Sequence, residues 1–559
     1  MRLCLADNKL LYDRSKPLVT GFDMASASLM NAICRFSDAE SIVLLSDGEP
    51  SYLNSVHDLA QTIKRSRAGQ SLEVCSSLSV LFHGPEMLGD IDLIHSVKEN
   101  AVPLLSLRET LHKPVPLTFT IHCLSEQHMI NDLFFPLSVL PFKPYDAIIC
   151  TSETVRSTIG KMLDRIDSCR NYHVPASSIQ LRKIPLGIDT DQFQPMDKQA
   201  LRKKYGLNPD AFVLLWFGRF SDLFKADLHP LLTVFRCLKE RNPDICLKLL
   251  LAGSEGRDDS ESRALMEDAR RLKIDPDIQI INNRDILHRN ELYNISDVFV
   301  SPTDNIQETF GLTPIEAMAC GIPQVVSDWD GYKDTVMDEE TGFLITTSWF
   351  DCFSDVRSNS YLPFDANQRR QIQRYMAVRS TVVDCEMMAE CIQQLIDSPE
   401  LYRKMSEASR KRAVKEYHMP NIIAQKDHLW AELCEMAAET GGDDKIQSSF
   451  SKLIQTDYCR DFESYPTRFL NDQTEFTVNQ KMIQIMNSSG IQSPLPVHRY
   501  PELLSTLEEE MIIKEIYEYI CNKDAVTIKE VSMAFAEQTC DQIRRTVMYL
   551  YKNNFLIVR

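Results

Sequence analysis

Two series of short apolar runs, separated by longer helical patterns, constrain this chain more than any other feature. The first is "RLCLA" (2–6), "SIVLLSD" (41–47), "LSVLFHG" (78–84), "PLTFTIHC" (116–123) and "DAIICTS" (146–152). The second is "FVLLWFG" (212–218), "CLKLLLAG" (246–253), "IQIIN" (278–282), "VFVSP" (298–302) and "QVVSD" (324–328). Runs that are apolar throughout belong to strands buried on both faces, as in parallel sheets covered by helices. Between the first two runs of the second series, Leu231, Leu232, Val234, Phe235 and Leu238 repeat at helical spacing. The pattern predicts an α/β protein with two Rossmann-like domains facing a cleft, joined near "IPLGIDTDQFQP" (184–195). Doubly wound sheets bind ligands beyond the carboxyl ends of their strands, so the loops after "FVLLWFG", "TFTIHC" and "VFVSP" are expected to carry the chemistry.

The expected domains are an N-terminal Rossmann-like domain (1–190) and a second Rossmann-like domain (191–420). A helix crossing back (421–438), a linker and packing segment (439–501) and a small winged-helix-like domain (502–559) follow. The polar stretch 351–384 reads as an insertion, and "ETGGDDKIQSS" (439–449) as a plain linker. Tyr458, Phe462, Tyr465 and Phe469 are able to pack onto the main body. The tail shows three helical patterns, "EEEMIIKEIYEYIC", "TIKEVSMAFA" and "DQIRRTVMYLYKNN", and then "FLIVR", a helix-turn-helix layout with one strand of a wing. Residues 501–559 hold seven Lys/Arg against ten Asp/Glu, whereas a DNA-reading winged helix carries a basic face. Two readings of the tail stand. It docks a peptide, protein or carrier, or it is a packing appendage or dimer contact of a homo-oligomer.

The net charge of −18 argues against nucleic acid and anionic lipid as partners. Sixteen cysteines without a CxxC pair read as reduced thiols. Charges interrupt "MRLCLADNKLLYDRSKP" too early for a signal peptide, and no apolar run approaches the ~20 residues of a membrane span. The expectation is a soluble, cytoplasmic protein without a transmembrane segment.

The stretch "QETFGLTPIEAMACGIPQVV" (307–326) concentrates the chemistry. Thr313, Pro314 and Glu316 predict an N-cap, a first helical residue and a capping box, with a helix over 314–320 closed by Gly321. The free N–H groups of Gly311, Leu312 and Thr313 would seat an anion such as a phosphate. From these residues alone, Glu316 is either a cap or a ligand-binding carboxylate, and Glu308 either a solvated loop acid or its companion.

Residues 184–346 resemble the donor-binding half of retaining GT-B glycosyltransferases, glycosyltransferase family 4. The resemblance rests on "PLGIDTDQFQP", "GRFSDLFKADLHPLL", "LLLAGS", "LYNISDVFVSP", "ETFGLTPIEAMACGIPQVVSD" and "TGFLIT". The N-terminal half matches through "LVTGFD", "FTIHCLS" and "DAIICTSE". It implies transfer of a sugar from a nucleotide-sugar donor, a UDP-sugar on this reading, with retention at the anomeric carbon. Arg219 and Lys225 would neutralise the leaving diphosphate, with Phe310, Gly311, Leu312 and Thr313 lining its seat. Glu316 would bind the ribose and Glu308 the transferred sugar, while His122 would face that sugar across the cleft. Gly21, in the first strand–helix turn, would let the backbone approach donor or substrate, and Asn283 and Arg284 would touch the base. Two departures stand out: the Arg219–Lys225 spacing of six is one more than is common in the family, and Thr20 replaces the usual partner of Gly21. No metal or other cofactor is implied, since Asp189–Asp191, Asp275–Asp277 and Asp328–Asp330 fall in turns that favour aspartate without an ion. The reading from a different class is a catalytically silent GT-B scaffold used for binding.

Overall fold

The computed structural model describes residues 1–6, 21–46, 50–63, 70–97, 101–111, 113–124, 133, 142–168, 179–255, 259–282, 289–349, 352, 374–440, 470–489 and 507–559. The chain divides into two compact units, Met1–Ser451 and Lys452–Arg559.

The first unit holds two parallel sheets. Strands β1 (Arg2–Ala6), β2 (Ser41–Ser46), β3 (Ser71–Ser76), β4 (Leu93–Ser96), β5 (Leu117–Thr120), β6 (Ala147–Cys150) and β7 (Gln180–Lys183) lie in the order β3-β2-β1-β4-β5-β6-β7. Strands β8 (Phe212–Arg219), β9 (Leu247–Ser254), β10 (Ile278–Asn282), β11 (Val298–Ser301), β12 (Gln324–Ser327) and β13 (Gly342–Ile345) lie in the order β10-β9-β8-β11-β12-β13. Both sheets wind outward from their first strand and then reverse, which opens a crevice beside β1/β4 and beside β8/β11.

Strand β8 shows why the runs are apolar without alternation. Leu214 and Trp216 enter one core cluster, and Val213, Leu215 and Phe217 enter the other. Successive side chains point to opposite faces and both faces are covered. The helix His229–Arg241 covers one of them with Leu231, Leu232, Val234, Phe235 and Leu238, as the spacing predicted.

One expected strand is a helix. "LSVLFHG" lies in the helix Ser77–His83, because β3, at Ser71–Ser76, already pairs with the whole of β2. A short apolar run cannot be told from a helix by periodicity alone. The expected insertion is narrower at its far end, where β14 (Thr347–Trp349) pairs antiparallel with β15 (Thr381–Val383) across it.

The chain passes between the two halves of this unit twice, and the two passages touch. The Ile188 amide donates to the Tyr417 carbonyl, and the Met419 amide donates to the Ile188 carbonyl, both at 2.9 Å. The helix Met419–Thr440, expected over 421–438, then returns to the first sheet. It packs Ile422, Leu429 and Leu433 on Ala147 and Ile149 of β6, and Ile423 and Trp430 among Leu3 and Leu5 of β1.

The second unit has its own core, including Phe476, Ile516, Ile520, Val531, Ile543, Val547 and Leu556. The helices Leu507–Cys521, Ile528–Ala534 and Cys540–Lys552 match the three expected patterns. Capping boxes Thr527/Glu530 and Thr539/Gln542 open the last two. The expected boundary at 502 is too late. Strand β16 (Glu475–Val478), counted in the packing segment, lies between β17 (Val526–Thr527) and β18 (Leu556–Val558). Tyr458, Phe462, Tyr465 and Phe469 lie outside the described residues. Among the described residues, no helix is long and apolar enough to cross a membrane.

Candidate active site

The loops after β5, β8 and β11 converge within the first unit, and they carry most of the residues singled out in the sequence. Lys225 Nζ lies 2.5 Å from Glu308 Oε2. The six-residue spacing from Arg219 is absorbed by a turn in which the Lys225 amide donates to the Ser221 carbonyl at 2.9 Å. Burial works to raise the Glu308 carboxyl, but the Lys225 ammonium and its hydrogen bond outweigh it and hold the group below its usual range. Glu308 is therefore a paired, largely buried anion and not a solvated loop acid.

Glu316 does not close a capping box. The helix runs Leu312–Ala319 with Gly311 as N-cap, and Thr313 Oγ1 is buried without a hydrogen-bond partner. Glu316 Oε2 instead accepts from Tyr293 Oη at 2.7 Å and from Arg289. Those two residues stand four apart on the helix Arg289–Ile295, so they share a face. A buried carboxylate takes the charged donor in preference to a backbone N–H. Both bonds go to Oε2, and Oε1 accepts none among the described residues. Burial raises this carboxyl despite Arg289.

Gly311 has φ 89°, and a Cβ there would meet Tyr332 Cε1 at 2.2 Å, so glycine is required twice over. Phe310 is buried against the edge of Tyr417. The amides of Leu312 and Thr313 open the helix without intrahelical acceptors. Arg219 ends β8, with its guanidinium carbon 4.6 Å from the Phe224 ring centroid, and its side chain makes no hydrogen bond or ion pair among the described residues.

His122 comes from the other half. Its carbonyl accepts from Thr309 Oγ1 at 2.7 Å, and the Thr309 carbonyl accepts from Ser152 Oγ at 3.0 Å. Burial, helped by the Lys426 charge, pushes the imidazole down to about 3, which keeps it neutral near pH 7. Gly21 is the first residue of the helix Gly21–Phe36, which follows β1 in the chain. Thr20, Asn283 and Arg284 lie outside the described residues.

Sequence reasoning missed three residues and read a fourth, Asp330, only as a turn aspartate. Arg289 holds Glu316, and Arg374 lies over the same Phe224 ring as Arg219. Lys426, on the crossing helix, is fully buried with Nζ 2.9 Å from Thr120 Oγ1. Asp330 has φ 43° and a buried Oδ1 without a hydrogen-bond partner. Burial and the Glu308 charge push its carboxyl well above the usual range.

Comparisons with known proteins bear on the family and the fold. Residues 197–354 match the family model "Glycosyl transferases group 1". A glycosyltransferase from Rickettsia africae aligns with TM-score 0.52 at 16% identity, over 77% of this chain and 98% of that one. Anabaena HepE in complex with UDP aligns with TM-score 0.51 at 16% identity, over 77% and 99%. The two-sheet architecture is the GT-B fold.

In sequence, D-inositol 3-phosphate glycosyltransferase 2 of Catenulispora acidiphila is 37% identical over 162 residues, 28% of this chain and 37% of that protein. The D-inositol 3-phosphate glycosyltransferase of Saccharomonospora viridis is 30% identical over 283 residues, 48% of this chain and 63% of that protein. The chain thus spans 37% to 63% of the length of these curated relatives.

Proposed function

We propose that this GT-B protein is a glycosyltransferase that moves a sugar from a nucleotide-sugar donor to an acceptor, with retention at the anomeric carbon. The observation that carries the proposal is the Lys225–Glu308 pair, held beside His122 by Thr309 where the carboxyl ends of the two sheets meet. Arg219, Lys225 and the amides opening the Leu312–Ala319 helix receive the diphosphate, whose negative charge grows as the bond to the sugar breaks. Glu316 accepts from the ribose hydroxyls through its open Oε1. Glu308 and the neutral imidazole of His122 hold the hydroxyls of the transferred sugar. Asn283 and Arg284 are assigned to the base, and Gly21 to close backbone approach.

On this reading the acceptor hydroxyl attacks from the face on which the diphosphate departs. Its proton passes to the departing phosphate oxygen, and no covalent enzyme intermediate forms. No metal is needed, because arginine, lysine and helix amides meet the diphosphate charge. UDP is the nucleotide assigned, in line with the UDP bound by Anabaena HepE. The acceptor is a peptide, protein or carrier docked by the winged-helix-like second unit, and the location is cytoplasmic. In that unit the strand between β17 and β18 arrives from upstream of the first long helix, so it docks without the hairpin of an ordinary wing.

Thermal-shift measurement with UDP, GDP and ADP tests the reading. A bound nucleotide at a hundredfold excess over its dissociation constant stabilises the protein by about 2.7 kcal/mol. No shift with any of the three overturns it.

A further inference from the structure

Arg289 is held in place by two aromatic rings. Its Cζ lies 4.9 Å from the ring centroid of Phe217 and 5.8 Å from that of Phe193, both buried residues. The ring faces attract the cation and fix where it sits. Its Nη2 donates to Glu316 Oε2, which also accepts from Tyr293 Oη at 2.7 Å. Its Nε is buried and has no hydrogen-bond partner. In a guanidinium the Nε–H and one Nη2–H run parallel along a shared edge, which is how arginine can hold a carboxylate with two bonds. Here one donor of that edge reaches Glu316 and the other is left without an acceptor. The carboxylate is incomplete in the same way, because Oε1 accepts no bond among the described residues. A charged donor and a carboxylate oxygen left open side by side complement a hydroxyl, whose oxygen accepts from one while its hydrogen is donated to the other. Arg289 is also the first residue of the helix Arg289–Ile295, five positions after Arg284, to which the base is assigned.

We propose that Arg289 is a specificity-determining residue that reads the ribose through Nε–H, so that the site takes ribonucleotides and rejects their deoxy forms. This rests on the nucleotide-sugar reading and deepens it. Glu316 alone can only accept from the ribose. With Arg289 the site both accepts and donates, and a nucleotide lacking the hydroxyl leaves two buried groups unpaired. A site built on such a bond discriminates strongly against the analogue without it.

The test compares UDP with 2′-deoxy-UDP and 3′-deoxy-UDP by calorimetry on the full chain, or GDP or ADP with their deoxy forms where one of those is the nucleotide bound. Wild type is expected to bind the ribonucleotide about tenfold more tightly than one of its deoxy forms. Arg289→Lys keeps a cation beside Glu316 but loses the forked edge, and Arg289→Gln loses the charge as well. Each should cut that preference about tenfold by weakening the ribonucleotide, with affinity for the deoxy form kept within about threefold. A residue that merely braced Glu316 would weaken all three ligands alike. Such a uniform loss, an unchanged preference in a variant that melts like wild type, or a wild type without any preference overturns the proposal and leaves the nucleotide-sugar reading standing. A crystal structure of the wild-type UDP complex decides without any variant. Nε should lie within about 3.2 Å of a ribose oxygen, and an Nε still unpartnered there overturns the proposal. Wild-type protein that binds none of the three diphosphates overturns both.

Discussion

The Thr309 hydroxyl donates to the main-chain carbonyl of His122 over 2.7 Å, fastening the Glu308 loop of one half to the strand extension of the other. The bond needs no charge, so salt will not screen it, and it fixes how far the two site residues stand apart. Thr309→Val keeps the shape and leaves the buried carbonyl without that donor. The expected cost is about 1–3 kcal/mol of stability. Donor hydrolysis should fall while UDP affinity stays near the wild-type value. Unchanged hydrolysis in a folded variant would separate this contact from function.

The two glutamates should fail differently. Glu316→Ala strips Arg289 and Tyr293 of their shared acceptor, and breaking such a buried pair costs about 3–5 kcal/mol. Nucleotide affinity should fall with it, because the proposed ribose contact goes too. Glu308→Gln should mainly lower turnover, with UDP affinity nearly kept. Its pH behaviour adds a check. Glu308 sits below its ordinary 4.5 when folded, so its stabilisation is complete above that pH and is lost as pH falls through the lower folded value. The variant should lack that acid-side loss. Equal losses of UDP affinity in both variants, measured by calorimetry, would reverse the assignment.

Much of this site was legible because it lies in one stretch of chain. Glu308, Gly311 and Glu316 sit within nine residues, and the loop's need for glycine beside Tyr332 follows from local backbone geometry. Arg289 was not legible, since it meets Glu316 from 27 residues away on a helix of only seven. The strands split in the same way. β8 announces itself because both of its faces are buried, whereas β7, "QLRK", is a half-exposed edge strand and carries no apolar run. The capping-box error has the same root: local pattern assigned Glu316 to the backbone, and a distant arginine claimed it.

Lys426 makes a prediction about pH. It follows Ile422 by four residues and precedes Leu429 by three, so helical spacing alone puts it on the buried face. Facing it are Thr120, His95 and His122, two bases that are themselves pushed down by burial and by the lysine charge. Burial lowers its amine from 10.5 to about 7. The unfolded chain then binds more protons between those values, so stability should rise with pH from about 7 toward 10.5 and level off below 7. The shift corresponds to several kcal/mol, at about 1.4 kcal/mol per unit. Lys426→Met should be more stable than wild type near pH 6–7, with an advantage that shrinks toward pH 10. Denaturant melts across that range check it, and a parallel pair of curves would show that the amine is not buried as a neutral group.

Asp330 is held at φ 43° with one carboxylate oxygen buried and unpaired. Such left-handed strain costs about 1–3 kcal/mol in a residue with a Cβ, against about 0.5–1 kcal/mol of chain entropy for glycine. Asp330→Gly should therefore stabilise the protein by about 1 kcal/mol at neutral pH. The raised carboxyl adds a sign: its penalty is present above the folded value and disappears as pH falls below the ordinary 3.8, so the gain should narrow in acid. A destabilised glycine variant would mean that the carboxyl makes an interaction worth more than the strain.

The tail supplies the last prediction, because its boundary decides how it can be removed. Phe476 of β16 is fully buried in the core of the second unit, and β16 is the central strand of that sheet. Cutting at 501 removes both of its neighbours, β17 and β18, and most of the core that covers Phe476. Two exposed strand edges and a bare aromatic favour aggregation. Cutting after Ser451 removes the second unit whole. The 1–451 protein should stay monodisperse by light scattering, bind UDP and hydrolyse the donor in water, while transfer to the native acceptor falls. The 1–501 protein should aggregate. Loss of donor hydrolysis in a folded 1–451 protein would move the tail into the catalytic machinery, and undiminished transfer would reduce it to a packing appendage.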